Sequence, residues 1–202
     1  MVEQEFKRKL VHIIVGFFVI TYFFLDRLII IILCILLIIA ALFSKRYKRI
    51  YSIIMRTGEK RTSALWRVIH YITSMLLLSI FFDYRLAGAG ILTLAWGDGL
   101  ATLIGRKYGR RQITRDSTII GSFSMFAFSF IGTAISLRFI PFVQGFINAP
   151  SYLSIQLIIL TSLAASFFTA ISEIKSRSSY DNLTAPLVHA SILALLINTI
   201  KL

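Results

Sequence analysis

One acid interrupts an apolar stretch of this sequence. Asp98 lies in the segment LAWGDGLATLIG, residues 94–105, and the basic run Arg106-Lys107-Tyr108-Gly109-Arg110-Arg111 follows it. An ionised aspartate is costly in apolar surroundings, and such residues usually line a cavity or a pathway. Asp98 is therefore a candidate for catalysis or metal binding. The alternative is a structural role, as the partner of an Arg or a His of another helix.

A second polar cluster lies near the N-terminus, in the run Glu5-Phe6-Lys7-Arg8-Lys9-Leu10-Val11-His12. Residues four apart on a helix are neighbours, which places Glu5 beside Lys9 and Arg8 beside His12. The cations of this cluster could hold phosphates, and His12 could accept a proton. The alternative is an interfacial anchor in which His12 is only a packed side chain.

A third cluster contains Asp181 and Asn182, which follow Glu173 at a short distance along the chain. An acid and an amide supply oxygen ligands for Mg²⁺, which is usually bound by a few carboxylates together with substrate phosphates. The same two residues could instead cap a helix that has Pro186 in its first turn.

Small residues recur every four positions beside Asp98, at Gly97, Ala101, Gly105 and Gly109. Such a stripe lets a neighbouring helix approach closely. It could also give a phosphorylated ligand access to the backbone. The sequence has no glycine-rich loop that ends in Lys and Ser or Thr, so a bound nucleotide would need a different cradle.

The composition indicates an all-α integral membrane protein. Of the 202 residues, 57% are hydrophobic and 15% are charged, and the mean hydropathy is +0.80, well above the usual range of a soluble domain. We predict a single polytopic membrane domain over residues 1–202. It is a bundle of about seven transmembrane helices, at about 10–25, 28–43, 67–82, 86–104, 119–138, 153–172 and 184–200.

Charge predicts the orientation of this bundle. If the N-terminus is cytoplasmic, the opposite side holds only Arg27, Arg85, Arg138 and Lys201 of the 22 Lys and Arg residues, which is a strong positive-inside signal. We therefore expect short extracytoplasmic turns and basic cytoplasmic loops that carry the site. Residues 44–66 are predicted to form an interfacial amphipathic segment. Topology and anionic lipids explain the net charge of +13, so no nucleic-acid partner is needed.

Taken in order, these motifs resemble those of the dolichol kinases, phytol kinases and CTP-dependent diacylglycerol kinases. The resemblance rests on Glu5-x-x-Arg8-Lys9-x-x-His12, on Gly97-Asp98-x-x-Ala101-x-x-x-Gly105-x-x-x-Gly109, on Gly121-Ser122, and on Glu173 followed by Asp181-Asn182 and Pro186. It implies a membrane kinase that transfers a phosphoryl group, usually from CTP, to the hydroxyl of a polyprenol or a related lipid.

The resemblance also suggests roles for individual residues. The catalytic residues would be Asp98, His12 and Asp181. Asp98 and Asp181 would hold Mg²⁺ with Asn182, or one of the two acids would accept the proton of the alcohol; the sequence does not separate these roles. The nucleotide and phosphate ligands would be Arg8, Lys9, Gly97, Gly105, Arg106, Lys107, Gly109, Arg110, Gly121 and Ser122. The chain departs from the family pattern at residues 117–122, STIIGS, which lack the usual Lys and Glu; Arg115 and Asp116 lie just upstream.

Two other functions fit the same sequence. A CTP-dependent cytidylyltransferase that makes a CDP-activated lipid would also use membrane helices, acids and Mg²⁺, but it would release pyrophosphate. A small ion-coupled transporter would use Asp98 to couple a proton or a cation, and such proteins often contain internal repeats. The polar clusters favour an enzyme because they are predicted to lie on one side of the membrane rather than at its middle.

Overall fold

The computed structural model describes residues 2–44, 55, 59–114, 117–140, 153–175 and 180–200. These residues are helical apart from turns and one isolated antiparallel bridge between Gln112 and Thr118. The elements, in chain order, are α1 (Val2–Val15) with a 3₁₀ continuation (Gly16–Phe23), α2 (Arg27–Phe43), α3 (Arg61–Phe81), α4 (Tyr84–Tyr108), α5 (Ile119–Phe139), α6 (Ile155–Lys175) and α7 (Asp181–Ile200).

Among the described residues, five helices, α3 to α7, are long and apolar enough to cross a membrane. Helix α2 is apolar but has only 17 residues, a length of about 26 Å against a hydrocarbon core of about 30 Å. The prediction of an all-α, multi-pass membrane protein is confirmed. The predicted segment 44–66 lies mostly outside the described residues, and its last residues, 61–66, belong to α3.

Helix α4 is interrupted at Asp98. A π-helical turn, Thr93–Asp98, separates the α-helical parts Tyr84–Leu92 and Gly99–Tyr108. Asp83 caps the start of the helix by accepting the N–H of Arg85 at 2.8 Å, and burial raises the pKa of the Asp83 carboxyl. Turns of the π type are frequent at functional sites, and this one ends at Asp98.

Helix α4 lies between α1 and α5, and both run antiparallel to it. On one side Lys9 contacts Asp98, whereas Leu25, beyond the 3₁₀ continuation, accepts the hydroxyl of Tyr84 at 3.2 Å. On the α5 side the successive contacts are Gly121 with Gly105 and Gly132 with Leu92. These contacts define two opposite ends of the bundle along the axis of α4.

We call the end that holds Lys9, Asp98 and Asn182 the basic end. At the opposite end, the turn before α2 packs on the turn before α4, where Arg27 donates to the carbonyl of Phe82 at 3.1 Å. The basic end also contains Arg67 at the start of α3, whose carbonyl accepts the amide of Asn182 at 3.3 Å.

Cysteine accessibility tests this arrangement. In a Cys34→Ser background, we expect Arg110→Cys to react with a membrane-impermeant maleimide only from the cytoplasmic side, and Asp26→Cys only from the other side. Both positions are exposed and they belong to opposite ends of the bundle. Sealed vesicles of both orientations provide the measurement. Labelling of both cysteines from one side would contradict the two-ended fold, and exchanged sides would contradict the predicted orientation.

Candidate active site

Two side chains of α1 contact the carboxylate of Asp98. Nζ of Lys9 donates to Oδ2 of Asp98 at 2.5 Å, and Nε2 of His12 lies 3.2 Å from the same oxygen. The Lys9 side chain is only 4% exposed, whereas that of Asp98 is 23% exposed. The carboxylate is therefore compensated by a buried ammonium while part of it remains accessible.

The ring of His12 is held from both sides. Nε2 also lies 3.1 Å from the carbonyl oxygen of Leu94, so it faces two acceptors, and the tautomer with the proton on Nε2 satisfies them. Tyr71 donates to the carbonyl of His12 at 3.2 Å, and its ring packs edge-on at 4.5 Å between centroids. In a neutral His12 of this tautomer, the nitrogen left to accept a proton is Nδ1.

The third predicted cluster lies at the same end of the bundle. Glu173, near the C-terminal end of α6, interacts electrostatically with Asp98, Lys9 and Asp181. Asp181 is the first residue of α7 and is partly buried. The structure thus brings the N-terminal cluster, Asp98 and the late acidic cluster together, although they are far apart in sequence.

Asp98 and the neighbouring acids are compatible with the coordination preferences of Mg²⁺. Among the described residues, no three His, Cys, Asp or Glu side chains form a group able to hold a metal by themselves. Mg²⁺ does not require such a group, because it keeps several waters and binds one or two carboxylates plus substrate phosphates. Asp98 offers Oδ1, which accepts a long hydrogen bond from the Thr102 hydroxyl at 3.5 Å.

The predicted glycine stripe packs against α5. A Cβ on Gly97 would lie 2.4 Å from Oγ of Ser129, and one on Gly105 would lie 3.1 Å from Cα of Gly121. A Cβ on Gly109 would meet Oγ1 of Thr118 at 2.4 Å. Side chains here would push the two helices apart, so these contacts support the packing explanation of the stripe.

The predicted phosphate ligands outside the stripe fall into two groups. Arg106, Lys107 and Arg110 are exposed at the end of α4, and Arg106 lies about 12 Å beyond Asp98 along the helix axis. Arg8 and Ser122 are buried, and the hydroxyl of Ser122 has no hydrogen-bond partner among the described residues. Residues 115 and 116, the upstream substitutes suggested by the sequence, lie outside the described part of the chain.

Three residues of this region were not identified from the sequence: Arg67, Tyr71 and Thr102. Arg67 pairs with Glu59 at 2.6 Å, and Thr102 donates to the carbonyl of Asp98 at 2.9 Å. Arg67 and Tyr71 lie four residues apart on α3 and share a face. An arginine at the edge of an apolar span was the available signal, since such residues are usually functional or paired.

In sequence the chain is similar to known lipid kinases. It is 27% identical to phytol kinase 1, chloroplastic, of Arabidopsis thaliana over 96% of this chain, and 24% identical to CTP-dependent diacylglycerol kinase 1 of Eremothecium gossypii over 93%. Over most of its length the chain therefore resembles this group of lipid kinases. The chain spans 66% of the length of each of these two relatives.

A phytol kinase of Synechocystis sp. is 34% identical over 58% of this chain and 48% of its own length. No family model and no solved structure matches the chain. The resemblance found from the motifs is confirmed by these sequence relatives.

The ion pair predicts a specific pattern of stability. We expect Asp98→Asn to lower the free energy of unfolding by on the order of 3 kcal/mol, because the buried ammonium of Lys9 then loses the carboxylate that compensates it. The double variant Lys9→Met/Asp98→Asn should recover most of this loss, since it removes both charges of the pair. Thermal unfolding in detergent measures both, with Asp26→Asn at the exposed opposite end as the control. An Asp98→Asn protein as stable as the parent would contradict a structural role for the pair.

Proposed function

We propose that this protein is a membrane lipid-alcohol kinase that transfers the γ-phosphoryl group of CTP, or of another nucleoside triphosphate, to a polyprenol-type lipid such as dolichol, geranylgeraniol or phytol. The observation that carries the proposal is the constellation of Asp98, Lys9 and His12 at the basic end of an apolar bundle. The names of the relatives, phytol kinase and CTP-dependent diacylglycerol kinase, support a lipid alcohol as the acceptor and CTP as the donor.

One proposed substrate is a charged nucleotide and the other an apolar lipid alcohol, and the basic end of the bundle could bind both. A phosphoryl transfer mainly requires that groups are positioned and that charge is neutralised. The exposed cations Arg106, Lys107 and Arg110 would bind the triphosphate from the water side. The apolar helices below would accommodate the lipid tail, so that nucleotide and hydroxyl meet near Asp98. On the predicted topology this end faces the cytoplasm.

The geometry supports separate roles for the two central side chains. Asp98 would accept the hydrogen bond from Nε2 of His12 and so fix the ring. His12 would then accept the proton of the lipid hydroxyl at Nδ1, as a base oriented by a second group. Asp98 and Asp181, with Asn182 nearby, would hold Mg²⁺. The bound metal ion would supply charge neutralisation at the phosphates.

The direct test is incubation of the purified protein with labelled CTP or ATP, Mg²⁺ and a panel of dolichol, geranylgeraniol, phytol and diacylglycerol. We expect a lipid phosphate and the nucleoside diphosphate as products. A CDP-activated lipid with pyrophosphate would instead show a cytidylyltransferase. The absence of any Mg²⁺-dependent nucleotide binding would support the transporter hypothesis and contradict the proposal.

Variants separate the chemistry from the stability of the ion pair. The double variant Lys9→Met/Asp98→Asn should fold, yet its turnover should fall by at least about 100-fold, because it lacks the acid that orients His12 and binds the metal. His12→Gln should lose a similar factor. Thermal unfolding and lipid-phosphate formation are measured on the same preparation, with Asp26→Asn as the active control. A folded double variant with near-parental turnover would refute the role of Asp98.

A further inference from the structure

A cleft of about 200 Å³ lies between α1, α2 and α3, with Asn182 of α7 at its rim. Its walls are apolar and include Val15, Leu37, Val68 and Met75. At one end the lining becomes polar, with Arg8, Arg67 and Asn182. A cavity of this composition matches an amphiphile, a molecule with an apolar chain and a polar end.

The polar and apolar parts of the cleft are ordered along the helix axes. On α3 the lining begins at Ala64, and from Arg67 to Met75 it extends about 12 Å at 1.5 Å per residue; on α1 it runs from Arg8 to Val15, about 10 Å. The polar end is thus the basic end of the bundle, and the apolar end lies deeper in the membrane-spanning region. An amphiphile in the cleft would have its head at the depth of the ion pair.

The cleft and the ion pair share His12. This ring lines the cleft and also lies 3.2 Å from the carboxylate of Asp98. A hydroxyl bound at the polar end of the cleft would therefore be linked to the Asp98 carboxylate through the His12 side chain alone.

The pairing of Arg67, one of the two arginines at the polar end, favours a neutral head. The Arg67 guanidinium is paired with Glu59 at 2.6 Å, and the amide of Asn182 is bound to the carbonyl of Arg67. An anionic phospholipid head would have to compete with Glu59 for Arg67, whereas an alcohol would not.

The volume indicates how much of a lipid the cleft takes. It exceeds the roughly 150 Å³ that accommodates benzene but falls short of the roughly 300 Å³ at which pockets begin to enclose a whole drug-sized ligand. A long tail must therefore leave the cleft. Leu37 lines the cleft and is also 42% exposed on the outer surface of α2, so it lies at the boundary between the cleft and the bilayer.

We propose that this cleft binds the hydroxyl-bearing end of the lipid acceptor, that the remaining tail passes Leu37 into the bilayer, and that Leu37 with Val68 limits the width of the acceptor chain. This inference rests on the proposed lipid-alcohol kinase function and identifies where that enzyme holds its second substrate.

Helix α2 offers a matched pair of variants for the test. Leu36 and Leu37 are neighbours of the same type, and both are exposed, at 55% and 42%, but only Leu37 is among the lining residues of the cleft. Leu37→Trp should narrow the cleft, whereas Leu36→Trp adds the same bulk on the lipid-facing side. Because both side chains are exposed, neither change overpacks a buried core.

The probe is a geranylgeraniol analogue with a diazirine close to its hydroxyl end, added to the full chain in phosphatidylcholine nanodiscs. Photolabelling of the parent, mapped by mass spectrometry, should concentrate on the cleft-lining segments of α1 and α3 and be competed by unlabelled geranylgeraniol. Leu37→Trp should reduce this labelling by at least about fivefold, a change of roughly 1 kcal/mol. Leu36→Trp should leave it within about twofold of the parent.

Kinetics provide the second readout. Leu37→Trp should raise the KM for the lipid alcohol by at least about fivefold and leave kcat and the KM for the nucleotide within about twofold. A variant that was merely misfolded would lose kcat and nucleotide binding as well.

Three results would overturn the inference: equal effects of Leu36→Trp and Leu37→Trp, labelling spread evenly over the lipid-facing surface, or competition by phosphatidylglycerol but not by geranylgeraniol. A failure of the kinase proposal can be told apart from these results, because the parent protein would then form no lipid phosphate with any donor. The difference in labelling between Leu36→Trp and Leu37→Trp tests the cleft independently of kinase activity.

Discussion

The ion pair between Lys9 and Asp98 fixes α1 on α4, and the site depends on that placement. Either charge alone would be costly in a membrane-spanning bundle, so the two side chains have to meet. Because His12 lies three residues after Lys9, it shares the same face of α1. The contact that compensates the charges therefore also brings an imidazole to the carboxylate.

The remaining helices are held by a different kind of contact. Lipid tails are as apolar as the side chains they surround, so close packing and hydrogen bonds, more than the hydrophobic effect, bring spans together. Glycines at 105 and 121 let α4 and α5 approach closely. His189 of α7 joins α5 and α6, with Thr133 at 2.8 Å and Thr169 at 2.9 Å. These contacts support α4 from the side opposite to α1 and keep Asp98 in place.

Much of this arrangement could be predicted from the sequence because it depends on local patterns. Apolar runs and their flanking charges gave helix positions close to those observed for α2 and for α4 to α7. The polar clusters were predicted to lie at helix ends on one side of the membrane and therefore to converge. They do so around Asp98 and Glu173. The start of α3 was misplaced because its first three residues, 61–63, are polar, and they were assigned to the interfacial segment 44–66 instead of the span.

The sequence could not reveal which side chains would become partners. Whether Asp98 is paired, and with which cation, depends on the register of α1 against α4, and periodicity does not set that register. The same holds for the glycine stripe, whose two interpretations differ only in what lies opposite. The π-helical turn that ends at Asp98 also leaves no composition signal. Arg67 and Tyr71 became part of the site only once α3 was packed beside α1.

The position of His12 between two environments gives the proposed reaction its order. On one side the ring lines the mostly apolar cleft; on the other, Nε2 faces a carboxylate already compensated by Lys9. A lipid hydroxyl that enters from the bilayer would meet the imidazole before it meets the acid. Asp98 would then act on the lipid only through the ring it orients, which leaves its second oxygen for the metal and the phosphates. One carboxylate can serve both substrates because its two oxygens face different partners.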